Sequence, residues 1–79
     1  MDESPLTPLE QYVVDIVRNK RNEKGWSQKE LAYRLELSIG FIGHIENPKF
    51  RAKYKLEHLN ELAKVFECSP KDFLPDVPF

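Results

Sequence analysis

The sequence predicts a single all-α domain built from five helices. Hydrophobic residues recur at helical spacing, capping motifs precede the apolar segments, and the alternating pattern of β-strands is nearly absent. At 79 residues, with 41% hydrophobic and 32% charged residues, the chain is typical of a small soluble globular protein with one core. We expect residues 1–79 to form one domain, with its core at about residues 7–74 and flexible ends at 1–6 and 75–79.

The first helix is predicted from a capping box followed by an apolar stripe. Thr7 stands at the N-cap, Pro8 at the first helical position and Glu10 at the third, an order typical of helix starts. The stripe consists of Leu9, Tyr12, Val13, Ile16 and Val17. We expect this helix to end near Gly25.

Two short helices are predicted in the middle of the chain. Residues 27–30, SQKE, form a second capping-box pattern that begins the second helix. The third helix is expected to run from Ser38 to about Glu46, and Asn47-Pro48 ends it because a residue before proline disfavours the helical conformation. The second helix runs through Leu31, Ala32 and Leu35, and Ile42 and Ile45 of the third helix are expected to point inward.

The last two helices are predicted after a basic loop at residues 49–55. The fourth helix has its apolar residues on one side, at Leu56, Leu59, Leu62, Ala63 and Phe66. Ser69 and Pro70 begin a short fifth helix that carries Phe73 and Leu74. The tail at residues 75–79 contains two prolines, so no regular structure is expected there.

Composition argues against several classes of protein. The longest uncharged apolar run is about five residues, which is too short to cross a membrane. Cys68 is the only cysteine, so an internal disulfide is impossible and a cytoplasmic location is expected. Together with His44 and His58 it offers too few ligands for a metal site, and no cofactor is expected. No arrangement of residues indicates an enzyme.

The net charge of −1 conceals an uneven distribution along the chain. Residues 1–17 carry −4, residues 18–55 carry +6 and residues 56–79 carry −3. A basic middle between acidic ends indicates a phosphate-binding surface. On charge alone, three solvated faces of mixed charge explain the pattern equally well.

Residues 28–47, QKELAYRLELSIGFIGHIEN, resemble the helix-turn-helix of the Xre/Cro family, the lambda-repressor-like DNA-binding domains. The resemblance extends over roughly residues 12–74, and Ala32 stands where the two helices of the motif cross and only a small side chain fits. It implies a compact five-helix lambda-repressor-like domain with a central helix-turn-helix. It further implies a transcriptional regulator that binds double-stranded operator DNA with the helix at 38–46 in the major groove.

Two positions of the family pattern concern the framework of the motif. Arg21 and Glu46 match a pair that joins the first helix to the end of the recognition helix, so the resemblance implies a partly buried salt bridge. Two exposed charges are the alternative. Glu36 departs from the family, which usually has glycine in this turn, at a position that favours positive φ and costs another residue about 1 kcal/mol.

The same resemblance implies which residues meet DNA. The base-facing positions are Ile39, Gly40, Gly43 and His44. The positions near phosphates are Ser27, Gln28, Lys29, Ser38, Asn47, Lys49, Arg51 and Lys53. Of the base-facing residues only His44 can hydrogen-bond to a base, and Ile39 offers contact with a thymine methyl. Direct readout is therefore expected to be weak.

Three explanations are open for glycine at positions 40 and 43. The glycines allow the helix backbone to approach DNA closely, with specificity set by shape, methyl contacts and the loop. Alternatively, the bare face formed with Ile39 and Phe41 receives a protein or peptide. As a third explanation, both glycines are neutral changes in a helix that its neighbours hold in place.

The partners of the chain also leave alternatives open. A homodimer is expected, because paired half-sites raise specificity. Its candidate surface consists of Phe73, Leu74, Val77 and Phe79. A monomer that folds these residues onto its own core is the competing expectation. A different class of function is a protein-interaction module, such as the antitoxin of a toxin–antitoxin pair, with a toxin-like partner and DNA binding secondary.

Overall fold

The computed structural model describes residues 5–79, which contain α-helices and one 3-10 helix and no β-strand. The helices are α1 (Pro8–Glu23), α2 (Gln28–Leu35), α3 (Ile39–Glu46) and α4 (Leu56–Phe66), followed by the 3-10 helix Pro70–Phe73. The all-α class is confirmed. Within residues 5–79, no helix has the length and apolar character needed to span a membrane.

The predicted fifth helix is a single 3-10 turn, so the described chain has four α-helices instead of five. Ser69 and Pro70 start this turn as expected, but Leu74 is already extended, with φ −117° and ψ 150°. Leu74 precedes Pro75, and a residue before proline is driven out of the helical region. The segment therefore ends before an α-helix can form.

Serine and threonine side chains determine where the first three helices begin. The Thr7 hydroxyl accepts a hydrogen bond from the Glu10 N–H at 3.1 Å, and the Thr7 N–H donates to the Glu10 carboxylate at 2.9 Å. Ser27 and Ser38 cap α2 and α3, each accepting from the backbone N–H three residues later at 3.0 Å. These bonds satisfy amide groups that have no partner inside the helix.

Left-handed residues end α1, α2 and α4. They are Gly25, Glu36 and Glu67, with φ of 72°, 57° and 56°. In each case the following N–H donates to the carbonyl five residues earlier, at 2.9–3.0 Å, which closes the helix end. Glu36 thus adopts the turn conformation for which the family usually has glycine.

The core lies between α1, the packed α2–α3 pair, α4 and the 3-10 turn. Its buried residues are Leu6, Val13, Val14, Val17, Leu31, Ala32, Ile42, Ile45, Tyr54, Leu59, Leu62, Ala63, Phe66 and Phe73. Ala32 is buried between α2 and its neighbours, where only a small residue was expected. Trp26 closes one edge by stacking on Phe66, with ring centroids 5.2 Å apart.

The ends of the core differ from the prediction. Leu6 is buried, so the core begins before residue 7, and residues 1–4 of the predicted flexible end lie outside the described residues. Leu9 and Leu56 are exposed because each lies in the first turn of its helix, beyond the edge of the core. Phe73 is fully buried and is therefore part of the core, not of the tail surface.

Candidate nucleic-acid interface

A buried polar network fixes the end of α3 against α1 and α2. Arg21 donates from Nε and Nη2 to the two carboxylate oxygens of Glu46, at 3.0 and 2.8 Å, and from Nη1 to the Trp26 carbonyl at 2.8 Å. The Gln28 amide donates to the same carboxylate at 3.1 Å. The side chains of Arg21 and Glu46 are 12% and 4% exposed. This two-pronged geometry orients the helices more firmly than a surface ion pair does.

The outward face of α3 carries all four residues predicted to face bases. Ile39 is 50% exposed, and His44 is exposed as well. A Cβ added at Gly40 would meet no heavy atom within 4 Å, and one added at Gly43 would lie 3.5 Å from Oε1 of Gln28, an ordinary contact. Packing within the described chain therefore does not require either glycine.

The ring of Phe50 covers one face of the His44 imidazole. The centroids lie 4.2 Å apart and the planes are inclined by 15°, which is a parallel stack. The sequence did not predict this contact, because Phe50 follows α3 across a turn whose course the spacing of residues does not reveal. Asn47-Pro48 was the available signal for that turn.

The residues predicted to lie near phosphates fall into two groups. Ser27, Lys29, Ser38, Lys49 and Arg51 are exposed at the surface. Gln28 and Asn47 are half-buried, and Lys53 is exposed but paired with an acidic side chain. Gln28 donates to Glu46, and Asn47 accepts from the Lys49 N–H at 3.0 Å.

Lys53 is paired with the start of α1. Its Nζ lies 2.7 Å from a carboxylate oxygen of Glu10, the residue that completes the α1 capping box. The Lys53 ammonium and the Thr7 N–H hold the pKa of the Glu10 carboxyl below its ordinary value. Sequence spacing does not predict this pair because its members are far apart in the chain.

Two further residues hold the basic loop to the domain. Tyr54 is buried, and its hydroxyl has no hydrogen-bond partner among residues 5–79. Burial, with a contribution from the Glu46 charge, raises the pKa of this hydroxyl well above its ordinary value. His58 accepts a hydrogen bond from the Lys55 N–H at 2.8 Å, and its ring lies 5.6 Å from that of Phe41. The three-residue spacing of Lys55 and His58, that of a capping box, was the missed signal for this role.

The described residues bring no metal-binding group together. Residues 5–79 contain no cluster of three or more His, Cys, Asp or Glu side chains that could hold a metal ion. Cys68 is half-buried, and burial raises the pKa of its thiol. The arrangement around α3 offers exposed backbone, one imidazole and basic side chains, which suit a polyanion.

Known proteins share this arrangement of helices. A helix-turn-helix family model matches residues 17–73. The hypothetical transcription factor NHTF from Neisseria is similar in structure, with a TM-score of 0.74 and 25% identity over 95% of this chain and 85% of that chain. The restriction-modification controller protein C.AhdI from Aeromonas hydrophila has a TM-score of 0.68 and 24% identity, over 80% of this chain and 92% of that chain. No curated protein matches the sequence.

The family match and the geometry agree on the same elements. The matched range contains α2, α3 and α4 and the whole basic loop, and it ends at the last residue of the 3-10 turn. The Arg21–Glu46 pair and the left-handed turn at Glu36 lie within it. This chain belongs to the helix-turn-helix family of the Xre and lambda-repressor type.

Proposed function

We propose that the chain is a sequence-specific DNA-binding transcriptional regulator that places α3 in the major groove of operator DNA. The observation that carries this proposal is the outward face of α3, where Ile39 is half exposed and the space beside Gly40 is open. A helix held at its end by the buried Arg21–Glu46 pair can enter a groove without rearranging the core. The similar Neisseria structure, described as a hypothetical transcription factor, supports this function.

Phosphate contacts would fix the position of α3 on the duplex. The N-termini of α2 and α3 offer backbone N–H groups that the helices do not use, next to Ser27 and Ser38. The proposed phosphate-contacting side chains are Ser27, Gln28, Lys29, Ser38, Asn47, Lys49, Arg51 and Lys53. Lys49 and Arg51 are the strongest candidates among the loop cations, because Lys53 is already paired with Glu10. These contacts provide affinity and register but carry no sequence information.

Base recognition would rest on few groups. Ile39 would contact a thymine methyl, and His44 would hydrogen-bond to a base edge. Gly40 and Gly43 would allow the α3 backbone to approach the duplex closely, so that the shape of the groove contributes to specificity. A regulator of this kind acts by occupying its operator and needs no catalytic group. Because its target would be operator DNA, we place it in the cytoplasm.

We also propose that the regulator binds as a homodimer. Leu9, Leu74 and the tail residues Val77 and Phe79 line an open apolar groove of about 480 Å³. Val77 and Phe79 are 70% and 72% exposed, although the Phe79 ring also contacts Tyr12, with centroids 5.8 Å apart. Sedimentation equilibrium should show a dimer that Val77→Glu shifts toward monomer, because a buried unpaired carboxylate opposes association. A wild-type monomer at operator-saturating concentrations would contradict this proposal.

Selection from a random duplex pool tests the function. We expect enrichment of one site with two-fold symmetry, and an affinity for it that falls steeply with salt as counterions are released. Absence of enrichment, with weak salt-sensitive binding or none, would contradict the proposal. That outcome would favour a protein partner, such as a toxin, for the outward face of α3.

A further inference from the structure

His44 is the one base-facing position whose side chain can hydrogen-bond, and its imidazole is stacked on Phe50. We propose that Phe50 is a specificity-determining residue of the regulator: it holds the His44 imidazole in the orientation that reads a base. The proposal rests on the proposed function and deepens it, because it assigns sequence discrimination to a residue outside the recognition helix.

The chain after α3 is built so that Phe50 returns over the helix end. The Phe50 N–H donates to the Asn47 carbonyl at 3.1 Å, which closes a turn with Pro48 at its second position. The Asn47 side chain accepts from the Lys49 N–H at 3.0 Å and stabilises the same turn. Buried Tyr54 anchors the other end of the loop. Phe50 therefore has a defined position although its side chain is exposed.

The stack leaves the two hydrogen-bonding nitrogens of the His44 imidazole accessible. Phe50 covers one ring face, whereas both imidazole nitrogens lie in the ring plane and point along its edge. Neither nitrogen has a hydrogen-bond partner among residues 5–79. A base edge in the groove can therefore meet a nitrogen without displacing the phenyl ring.

The neighbours of His44 on α3 cannot replace this support. The residue four positions earlier, on the same face of the helix, is Gly40, which has no side chain. Phe41, three positions earlier, packs against His58 instead, with ring centroids 5.6 Å apart. Without Phe50 the imidazole would sample several rotamers, and ordering it on DNA would cost conformational entropy.

The position of Phe50 also links the proposed base contact of His44 to the proposed phosphate contacts of the loop. It lies between Lys49 and Arg51, which are exposed and are the strongest loop candidates for phosphate contacts. A phosphate bound by the loop would therefore set the position of the stack relative to the base pairs. Base readout by His44 and anchoring by the loop would then act as one unit.

The test compares discrimination among duplexes in four variants: Phe50→Leu, Phe50→Tyr, His44→Ala and the double variant Phe50→Leu/His44→Ala. The base pairs read by His44 are those whose preference disappears in His44→Ala. At these base pairs we expect Phe50→Leu to reduce discrimination about two- to tenfold, the range that an aromatic stack supports. Phe50→Tyr should retain discrimination, and the double variant should match His44→Ala. Affinity for unrelated duplexes and its salt slope should not change.

Two measurements separate positioning from a general structural role. Ring-current shifts of the His44 imidazole protons should move toward unstacked values in Phe50→Leu and not in Phe50→Tyr. Tyr33→Leu, at an exposed aromatic on α2 with no ring contact among the described residues, is the matched control and should leave discrimination intact.

The proposal would be overturned if the Phe50→Leu variant discriminated among duplexes as well as the wild-type protein does. It would also be overturned if this variant lost affinity equally for every duplex. Additive effects in the double variant would do so as well, because Phe50 would then act through a contact of its own. If the wild-type protein prefers no sequence, the proposed function fails, and the role of Phe50 fails with it. The ring-current shifts of the His44 imidazole protons would still show the stack on Phe50 in that case. They therefore distinguish a failure of the proposed function from a failure of the role of Phe50 alone.

Discussion

At the scale of single residues, Gly40 is where the fold and the proposed interface have opposite requirements. An alanine methyl would have open space there, and glycine in a helix is less favourable than alanine by up to about 1 kcal/mol. We expect Gly40→Ala to raise the free energy of unfolding by a comparable amount, measured by urea denaturation. The same methyl would occupy the space through which α3 approaches DNA, so operator affinity should fall several-fold.

Asn19→Ala is the control for this substitution, because it improves helix propensity at an exposed position of α1. It should stabilise the fold and leave operator affinity unchanged. Unchanged affinity in Gly40→Ala as well would favour the explanation that the glycines are neutral.

Glu36 has a left-handed backbone conformation in the turn between α2 and α3. Its φ of 57° is strained for a residue with a Cβ, at a cost of about 1 kcal/mol that glycine avoids. We expect Glu36→Gly to be more stable toward urea by somewhat less than about 1 kcal/mol, because glycine also increases the entropy of the unfolded chain. Gly25→Ala, at φ 72°, should show the opposite sign. A less stable Glu36→Gly would mean that the Glu36 side chain stabilises the turn.

At the scale of elements, helix starts were predictable and buried faces less so. Thr7, Ser27 and Ser38 cap their helices as the sequence predicts, because a cap depends on residues only three positions apart. The exposure of Leu9 and Leu56 was not predictable, because periodicity gives the direction of a side chain but not how far the opposing surface extends. The predicted fifth helix is too long because Pro75 drives Leu74 out of the helical region.

The Arg21–Glu46 pair joins α1 to the end of α3 and holds α3 in its orientation. Removing the arginine would leave a carboxylate that is 4% exposed without its main cation, which typically destabilises a protein by about 3 kcal/mol. We expect Arg21→Ala to lose about that much in urea denaturation. Arg18→Ala removes a cation from the surface pair with Asp15 on the same helix and should lose less than about 1 kcal/mol. Equal losses would show that the buried pair does not hold α3.

At the scale of the whole molecule, the proposed interface combines elements that sequence spacing could not relate. The family pattern predicts α3 and the ends of α2, because these residues are consecutive. The stack of Phe50 on His44 and the pair between Lys53 and Glu10 depend on how the loop folds back onto the domain. These two contacts divide the basic loop into a part that supports base readout and a part bound to α1, with one exposed cation, Arg51, between them.

Arg51 is the exposed cation that lies between these two contacts, and it provides the whole-molecule prediction. Loss of one phosphate contact should weaken binding to all duplexes similarly and lower the slope of log affinity against log salt by about 1. We expect this from Arg51→Ala, measured by titration across salt concentrations. Lys53→Ala should lower the slope less, because Glu10 already neutralises Lys53. Lys71→Ala, on the 3-10 turn, is the control for net charge and should leave the slope unchanged. If Arg51→Ala instead changes which duplex is preferred, the loop reads sequence itself, and the division between anchoring loop and reading helix is wrong.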